Sequence, residues 1–351
     1  MVDGANDWAL VVGIAAYPNY GKTPAEPNDL RAPINDAKAV AKFLGDDLGV
    51  KNITLLTSLE NNGANWPDKL HPIRADIEGW LRNIALLSDD NVSKGKGPQI
   101  GRRLYIYVSG HGLATERFRR ALVTANALSR VFIDHVLFTS WQESLSNSQF
   151  FSEYVLFLDF CSQAEVTLVP SPPPFQITKA LDPPAPQVIA CAAKYPLQAI
   201  ELPLGDNGEY HSVFTYELLR GLRRGAINPV KGGIRTRDLE AYLYTAVAAH
   251  IDKLQDKDKR GISREPDFLS SDDIEFVSPR TAPPASRLRT IKLPDLADGT
   301  PVTITDHARN QLGTANVAGG AIEYTLVAGL YKLDWGQDHC LVEIVDEIPD
   351  V

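Results

Sequence analysis

Two residues whose side chains could take part in a chemical reaction stand directly after apolar stretches of the chain. The apolar residues 104–108 run into Ser-Gly-His-Gly, which carries His111, and the apolar residues 155–158 run into Asp-Phe-Cys-Ser, which carries Cys161. In open parallel sheets, sites form just beyond the carboxyl ends of the strands. A cysteine acts as a nucleophile through its thiolate and needs a base or a cation beside it, and histidine transfers protons near neutral pH. If the two stretches are neighbouring strands, they predict a Cys-His site at one edge of the sheet.

The residues around this pair fit the same chemistry, although the cysteine and the histidine could each also have a purely structural role. Gly110 and Gly112 flank His111, and the lack of Cβ atoms there lets the backbone approach a substrate and present an N–H group to an oxyanion. Taken alone, a cysteine after an apolar strand is usually a core residue, and a histidine in a glycine turn is not diagnostic. The informative feature is therefore the pair.

The elements that must position the pair follow from hydrophobic periodicity. Apolar runs of strand length predict strands over residues 8–14, 53–57, 104–108, 155–158 and 187–193. Apolar residues three and four apart predict helices over residues 37–44, 73–84, 214–222 and 239–251. Because these strands alternate with helices, the sequence predicts an α/β fold with a mainly parallel sheet flanked by helices.

Proline content and a change of period predict the domain organisation. Seven prolines fall within residues 170–186, a density that neither a helix nor a central strand tolerates. We therefore expect an inserted Pro-rich loop over residues 162–186 within an α/β domain of residues 1–278. After a linker at residues 279–286, apolar and polar residues alternate, which predicts a small antiparallel, β-sandwich-like C-terminal domain over residues 287–351 with about five strands.

Composition excludes several classes of protein. The 351 residues carry a net charge of −9, and an acidic chain lacks the basic surface that nucleic-acid binding needs. The cysteines are Cys161, Cys191 and Cys340, which is neither a disulfide framework nor a zinc motif, so we expect reduced thiols and a cytoplasmic location. The acidic N-terminus is unlike a signal peptide, and the chain lacks an apolar stretch long enough for a membrane helix.

With these features in place, the chain resembles the caspase-like cysteine peptidases, and among them the bacterial and metacaspase-type branch. The matching stretches are residues 8–17, 35–37, 107–112 and 158–162, with residues 212–215 similar to the family's small-subunit helix. Histidine fifty residues before cysteine is also a caspase-like order and spacing. The resemblance implies a caspase-like fold, proton transfer by His111 and nucleophilic attack by Cys161. It also implies an oxyanion hole formed by the backbone N–H groups of Gly112 and Cys161.

The resemblance further implies that Asp36 and Asp159 line the substrate-specificity pocket. Two carboxylates in one pocket require a basic side chain, and arginine satisfies both with paired hydrogen bonds. Caspases in the strict sense use arginines there and cleave after aspartate, which these acidic residues argue against. Two plainer roles stay open at this point. Asp36 or Asn35 could cap a helix that starts at Ala37, and Asp159 could be a solvated acid at the end of a strand.

We therefore expect a cysteine endopeptidase that cleaves after Arg or Lys through a Cys-His dyad, a self-processing effector of a bacterial proteolytic or defence cascade. The alternative is a catalytically silent scaffold. Lys179 is the basic residue of the Pro-rich loop and the expected processing site, either by the protein itself or by an upstream protease. Ser162 begins a departure from the His-Ser-Gly continuation of the family. We expect no cofactor and no metal ligand set, although some relatives depend on calcium.

Overall fold

The computed structural model describes residues 4–23, 26–58, 70–128, 134–164, 172–177, 182–205, 207–228, 232–278 and 286–344. Within them, the helices are α1 (Pro33–Asp46), α2 (Arg74–Ser93), α3 (Phe138–Asn147), α4 (Val213–Arg220) and α5 (Thr236–Asp252), with a 3₁₀ turn at Gly4–Asn6 and a π-helical turn at Gly221–Gly225. The strands are β1 (Trp8–Gly13), β2 (Gly21–Thr23), β3 (Glu26–Pro27), β4 (Asn52–Thr57), β5 (Gly101–Gly110), β6 (Gly112–Glu116), β7 (Arg119–Val123), β8 (His135–Val136), β9 (Phe151–Phe160), β10 (Gln163–Ala164), β11 (Gln187–Cys191), β12 (Glu201–Pro203), β13 (Tyr210–Ser212), β14 (Ile234–Arg235), β15 (Asp267–Ser271), β16 (Glu275–Val277), β17 (Arg287–Lys292), β18 (Pro301–Asp306), β19 (Gln311–Asn316), β20 (Ala321–Leu326), β21 (Gly329–Trp335) and β22 (Asp338–Ile344).

The central sheet has six strands in the order β15-β11-β9-β5-β1-β4. The pairs β4–β1, β1–β5, β5–β9 and β9–β11 are parallel, and β15 runs antiparallel to β11. All five strands predicted from the sequence before the C-terminal region lie in this sheet, so the mainly parallel α/β architecture is confirmed. The antiparallel strand β15 was not predicted.

Helices cover both faces of this sheet. Strands β1, β5 and β9 are buried on both faces, as their continuous apolar runs require. Leu10 and Val12 of β1 share one hydrophobic core with apolar residues of α2 and α3. On the opposite face, α1 approaches β1 so closely that a Cβ atom on Gly13 would lie 2.4 Å from the Pro33 carbonyl oxygen.

A second, smaller sheet continues the two strands that lead to His111 and Cys161. Its order is β10-β6-β7-β8, and Gln163 and Ala164 of β10 pair in parallel with Leu113 and Ala114 of β6. The first residues of the predicted loop 162–186 therefore form a short strand. The described remainder of that loop, residues 172–177 and 182–186, has neither helix nor strand.

The C-terminal strands form antiparallel sheets, as the alternating pattern predicted. One sheet pairs β17 with β20, and the other has the order β19-β18-β21-β22. Their shared core includes Val302, Ile304, Ile322 and Leu333. The sequence did not predict β19 because its six residues, Gln311–Asn316, are half-buried or exposed and lack an apolar face.

The described residues group into two compact units. One holds the described parts of Glu217–Asp252 and Glu275–Val351, and the other those of Asp3–Tyr216 and Lys253–Ile274. The central sheet belongs to the latter unit, and the division passes through α4. The predicted linker at residues 279–286 lies outside the described residues except for its last residue, so the domain boundaries stay a prediction.

Candidate active site

His111 and Cys161 follow the last residues of two neighbouring parallel strands. In the β5–β9 ladder, Ser109 pairs with Asp159 and Gly110 pairs with Phe160, so the next residue on each strand is His111 and Cys161 respectively. Neighbouring strands lie about 4.8 Å apart. Both residues are partly exposed. The expectation that the two strands are neighbours and share one edge is therefore confirmed.

The two glycines beside His111 are required by close contacts within the chain. A Cβ atom on Gly110 would lie 2.5 Å from the Tyr17 hydroxyl oxygen. A Cβ atom on Gly112 would lie 2.3 Å from the Cys161 carbonyl oxygen. The sequence explained these glycines by access for a substrate, whereas the structure adds a packing reason. The backbone of Gly112 lies directly against that of Cys161.

The orientation of His111 is set by one side chain and one backbone carbonyl group. The His111 backbone N–H donates to the Tyr17 hydroxyl oxygen at 2.9 Å, and the Tyr17 hydroxyl donates to the Val123 carbonyl at 3.2 Å. The imidazole Nε2 lies 2.6 Å from the Asn28 carbonyl oxygen. A carbonyl oxygen can only accept, so Nε2 carries the proton in the neutral ring and Nδ1 is left as the basic atom.

The segment that supplies this carbonyl is itself held in place. The Asn28 N–H donates to the Tyr20 carbonyl at 3.2 Å, and the Tyr17 N–H donates to the Asp29 carboxylate at 2.6 Å. The rings of Tyr17 and Tyr20 lie against His111, with centroids at 4.7 Å and 5.5 Å. The imidazole is therefore fixed by packing and by hydrogen bonds.

Both reactive groups are neutral in the resting protein near neutral pH. Burial lowers the pKa of His111, partly offset by the hydrogen bond to Asn28 and the charge of Asp29. Burial, together with the negative charges of Asp159 and Glu201, raises the pKa of the Cys161 thiol to about 11. The thiol makes a weak contact of 3.8 Å to the Ala199 carbonyl oxygen. The site thus holds a thiol beside a neutral imidazole rather than a preformed ion pair.

Asp36 and Asp159 are both buried and meet at Ser212. Asp36 accepts from the Ser212 backbone N–H at 2.9 Å and from His211 Nδ1 at 2.6 Å. Asp159 accepts from the Ser212 hydroxyl at 2.8 Å, and also from the hydroxyls of Thr215 and Tyr107. The two carboxylates therefore belong to one buried polar cluster, which we call the acidic pocket.

The plainer roles considered for these aspartates are wrong. The helix begins at Pro33, its N-cap is Ala32 without a side-chain hydrogen bond, and Asp36 lies in the fourth helical position. Asn35 donates to the Tyr210 carbonyl instead of capping the helix. Asp159 is only 3% exposed, so it is not a solvated strand-end acid.

Ionisation of the carboxylates in the acidic pocket is unfavourable because they are buried. Burial raises the pKa of Asp159 to about 7, and the neighbouring charge of Asp36 adds to the shift. Burial raises the pKa of Asp36 to about 6 despite its hydrogen bonds to His211 and Ser212. A third carboxylate, Glu201, lies close by, because its charge raises the pKa values of both Asp36 and Cys161. Removing any of this charge by binding a cation would stabilise the pocket.

The residue after Cys161 is anchored by a buried arginine. The Ser162 hydroxyl donates to the Ala193 carbonyl at 3.1 Å, and Arg120 donates to both the Ser162 hydroxyl and the Ala193 carbonyl at 2.5 Å. Arg120 is fully buried and forms an ion pair with Asp267. Ser162, where the sequence departs from the family pattern, thus has defined hydrogen-bond partners.

The sequence also singled out two other cysteines, one lysine and the absence of a metal ligand set. Cys191 is fully buried in β11, as expected for a core thiol, and Cys340 lies in β22 of the other compact unit. Lys179, the predicted processing site, lies outside the described residues. The part of the chain that the structure describes contains no group of three or more His, Cys, Asp or Glu residues that could hold a metal ion.

Three contributors to the site were missed by reasoning from sequence. His211, which no sequence motif singled out, binds Asp36. Glu201 carries no motif, and the Asn28 contribution is a carbonyl that any residue type would supply. The available signal was the adjacency of His211 to residues 212–215, which already resembled a family helix.

Among the described residues, none of the helices combines the length and apolar character needed to span a membrane.

Comparisons with known proteins agree with this architecture. A family model described as the caspase domain (peptidase family C14) matches residues 6–265, more than half of the chain. Similar solved structures include caspase-1 from Spodoptera frugiperda, at 12% identity and a TM-score of 0.48, covering 80% of this chain and 94% of that one. A protein from Geobacter sulfurreducens has 13% identity and a TM-score of 0.42, with 79% and 95% covered.

The Arg-specific cysteine proteinase gingipain R has 13% identity and a TM-score of 0.36, with 97% of this chain and 68% of that chain covered. A search of curated protein sequences finds no significant match. The caspase-domain match spans both β5 with His111 and β9 with Cys161. On the strength of that match, the chain belongs to the caspase-domain family.

Proposed function

We propose that this protein is a cysteine endopeptidase that cleaves peptide bonds after arginine or lysine. Cys161 is the nucleophile, His111 transfers the proton, and Asp36 and Asp159 bind the basic side chain of the substrate. The observation that carries the proposal is the pairing of Gly110 with Phe160 at the ends of β5 and β9. It brings a thiol and an imidazole with a basic Nδ1 to one edge of the sheet, and the nearby charge of the buried Asp159 carboxylate acts on the Cys161 thiol.

The proposed reaction begins from the neutral pair. His111 Nδ1 takes the proton of the Cys161 thiol as Sγ attacks the scissile carbonyl carbon, which forms the C–S bond and leaves the negative charge on the carbonyl oxygen. The backbone N–H groups of Gly112 and Cys161 stabilise this oxyanion. The Asn28 carbonyl accepts from Nε2 throughout and so stabilises the imidazolium. His111 then protonates the leaving amine, and water hydrolyses the acyl-enzyme.

The acidic pocket supports a preference for basic substrates. Burial raises the pKa values of Asp36 and Asp159, as do the charge of Glu201 acting on Asp36 and the charge of Asp36 acting on Asp159. A guanidinium group would relieve this repulsion through paired hydrogen bonds. A carboxylate side chain, as in an aspartate substrate, would add a further negative charge to the same pocket. Cleavage after aspartate is therefore disfavoured.

A panel of fluorogenic peptides with Arg, Lys, citrulline and Asp before the scissile bond tests the proposal. Wild type should hydrolyse the Arg and Lys peptides, and Cys161→Ala should not. Parallel reactions with calcium and with a chelator measure the calcium dependence known for some relatives. Hydrolysis of none of the peptides in any condition would favour the alternative, a catalytically silent scaffold.

A further inference from the structure

His211 is hydrogen-bonded to Asp36, one of the two carboxylates of the acidic pocket. Its Nδ1 lies 2.6 Å from Oδ1 of Asp36. The Asp36 side chain is 0% exposed, whereas the His211 side chain is 14% exposed. His211 lies on β13, and its ring stands 6.3 Å from the ring of Tyr216. The imidazole is thus the partly accessible member of a buried pair.

We propose that His211 is a specificity-determining residue that competes with the basic side chain of the substrate for Asp36. This inference rests on the proposed function, because it concerns the same pocket. Oδ2 of Asp36 accepts from the Ser212 backbone N–H, a donor that cannot leave without breaking β13. Among the described residues, Oδ1 is held by the His211 side chain, which can rotate away. A substrate cation therefore gains Oδ1 by displacing the His211 side chain.

The charges around His211 determine the sign of its effect. The groups that face His211 are Asp36 on α1, Glu209 before β13 and Tyr216 on α4. The Asp36 carboxylate that it binds is surrounded by Glu201, Asp159 and Tyr107. The hydrogen bond to Asp36 raises the pKa of His211, against the effect of burial. Below that pKa, the imidazolium cancels one negative charge of the pocket, so a substrate cation is bound more weakly.

Replacing His211 with a neutral residue leaves the pocket at least as negative at every pH. The imidazolium is lost, and Asp36 can no longer be neutralised by a fixed neighbour. A purely structural role for His211, holding the hairpin of β12 and β13, predicts something different. It predicts a uniform loss of activity on all peptides without a change in pH dependence.

The decisive measurement is the ratio of kcat/KM for an Arg peptide to that for its neutral isostere citrulline, followed with pH. The titrations of His111 and Cys161 cancel in this ratio. In wild type, the ratio should fall on the order of tenfold between about pH 8 and pH 5.5, as one like charge appears in the pocket. In His211→Gln, the fall should move to lower pH. Identical curves for the two proteins would overturn the inference.

The surface offers a matched control for this substitution. His71 Nδ1 lies 2.7 Å from Asp76 Oδ2, and both side chains are partly exposed, at 55% and 31%. His71→Gln removes the same kind of His-Asp pair outside the site. Its ratio should follow the wild-type curve. A shift equal to that of His211→Gln would show that the effect does not come from the acidic pocket.

A binding experiment separates this inference from the proposed function. Cys161→Ala, which retains His211, is titrated with N-acetyl-arginine amide while the histidine side chains are followed by NMR. The His211 pKa should fall on saturation, because its contact with Asp36 is lost. That shift would support the inference even if no peptide is hydrolysed. An unchanged His211 titration, or no binding at any pH, would overturn it whatever the outcome of the peptide panel.

Discussion

The Nε2 atom of His111 lies 2.6 Å from the carbonyl oxygen of Asn28. This contact fixes the tautomer of the imidazole and directs its basic Nδ1 away from the Asn28 segment. A backbone carbonyl thereby takes the orienting position that a carboxylate side chain holds in other hydrolytic triads. It brings no negative charge to the imidazole, which is consistent with the lowered pKa of His111.

Loss of either reactive side chain should abolish turnover. Cys161→Ala and His111→Ala should each reduce kcat/KM for an Arg peptide by at least about 10³-fold, because residues that act as one catalytic unit fail together. Cys191→Ala is the matched control, since that thiol is fully buried in β11, and it should retain most activity. Steady-state kinetics on proteins with native circular dichroism makes the comparison. Near-normal turnover in either site variant would refute the dyad.

The Cys161 thiol should be unreactive in the free enzyme at neutral pH. Burial raises its pKa to about 11, and the thiolate is the reactive form, so alkylation by iodoacetamide should rise about tenfold per pH unit above about pH 7. Cys161→Ala supplies the blank for Cys340, which is also partly exposed. A plateau of the alkylation rate below about pH 8 would instead indicate a preformed thiolate.

Much of the fold was predictable because it depends on local apolar patterns. The strands that carry His111 and Cys161 are continuous apolar runs, and such runs identify buried strands without any knowledge of their partners. The small sheet was not predictable in the same way. Strand β10 has two residues and is stabilised by pairing with β6, a partner distant in sequence.

The site was predictable where residue types are distinctive and unpredictable where the tertiary structure supplies the group. The sequence alone is enough to identify a cysteine, a histidine and a strand-end aspartate as residues that can take part in a reaction. The Asn28 carbonyl cannot, because every residue has one. His211 could not be recognised from the sequence because its partner Asp36 is 175 residues away. The helix-cap interpretation of Asp36 failed because Pro33 starts α1 earlier than its apolar face indicated.

Asp159 should support binding of a basic substrate side chain while its ionisation lowers the free energy of unfolding. Its folded-state pKa of about 7 exceeds its ordinary value, so wild-type stability falls as pH rises from about 4 to about 7. Asp159→Asn removes that ionisation. At about pH 8, its free energy of unfolding should therefore exceed that of wild type by at least about 1 kcal/mol, so it should unfold at a higher urea concentration. At about pH 4, the two proteins should differ little in stability.

The same Asp159→Asn protein should lose much of its preference for Arg over citrulline, because one carboxylate of the acidic pocket is gone. Urea unfolding at both pH values and the peptide ratio are measured on one preparation. Lower stability than wild type at about pH 8, combined with an unchanged peptide preference, would show that Asp159 is a structural acceptor for Ser212, Thr215 and Tyr107 only.

The buried Arg120 should contribute strongly to stability through its contacts with Asp267 and Ser162. In the part of the chain that the structure describes, Arg120→Met leaves the buried Asp267 paired with the partly exposed Arg117, at 2.9 Å, and removes a donor to Ser162. We expect a loss of about 3 kcal/mol of unfolding free energy, in the range for breaking a buried ion pair. Urea unfolding measures this loss directly.

Arg119→Met is the control for Arg120→Met, since Arg119 is 42% exposed and reaches Glu116 only at 3.9 Å. It should change the unfolding free energy by less than about 0.5 kcal/mol. Equal effects of the two substitutions would show that the Arg120 network contributes nothing particular to the fold.

Self-processing should occur after Lys179. The specificity proposed for the acidic pocket requires a basic residue before the cleaved bond, and Lys179 is the basic residue within residues 162–186. On incubation, wild type should yield a fragment beginning at Ala180, detected by mass spectrometry of new N-termini, whereas Cys161→Ala and Lys179→Gln should not. Lys194→Gln, a change at a partly exposed lysine outside that loop, should process normally. Cleavage after Arg120 is not expected, because its side chain is fully buried. If the intact wild-type chain is fully active, a cut at Lys179 is not required, and activation must be sought in calcium, a partner or the C-terminal strands.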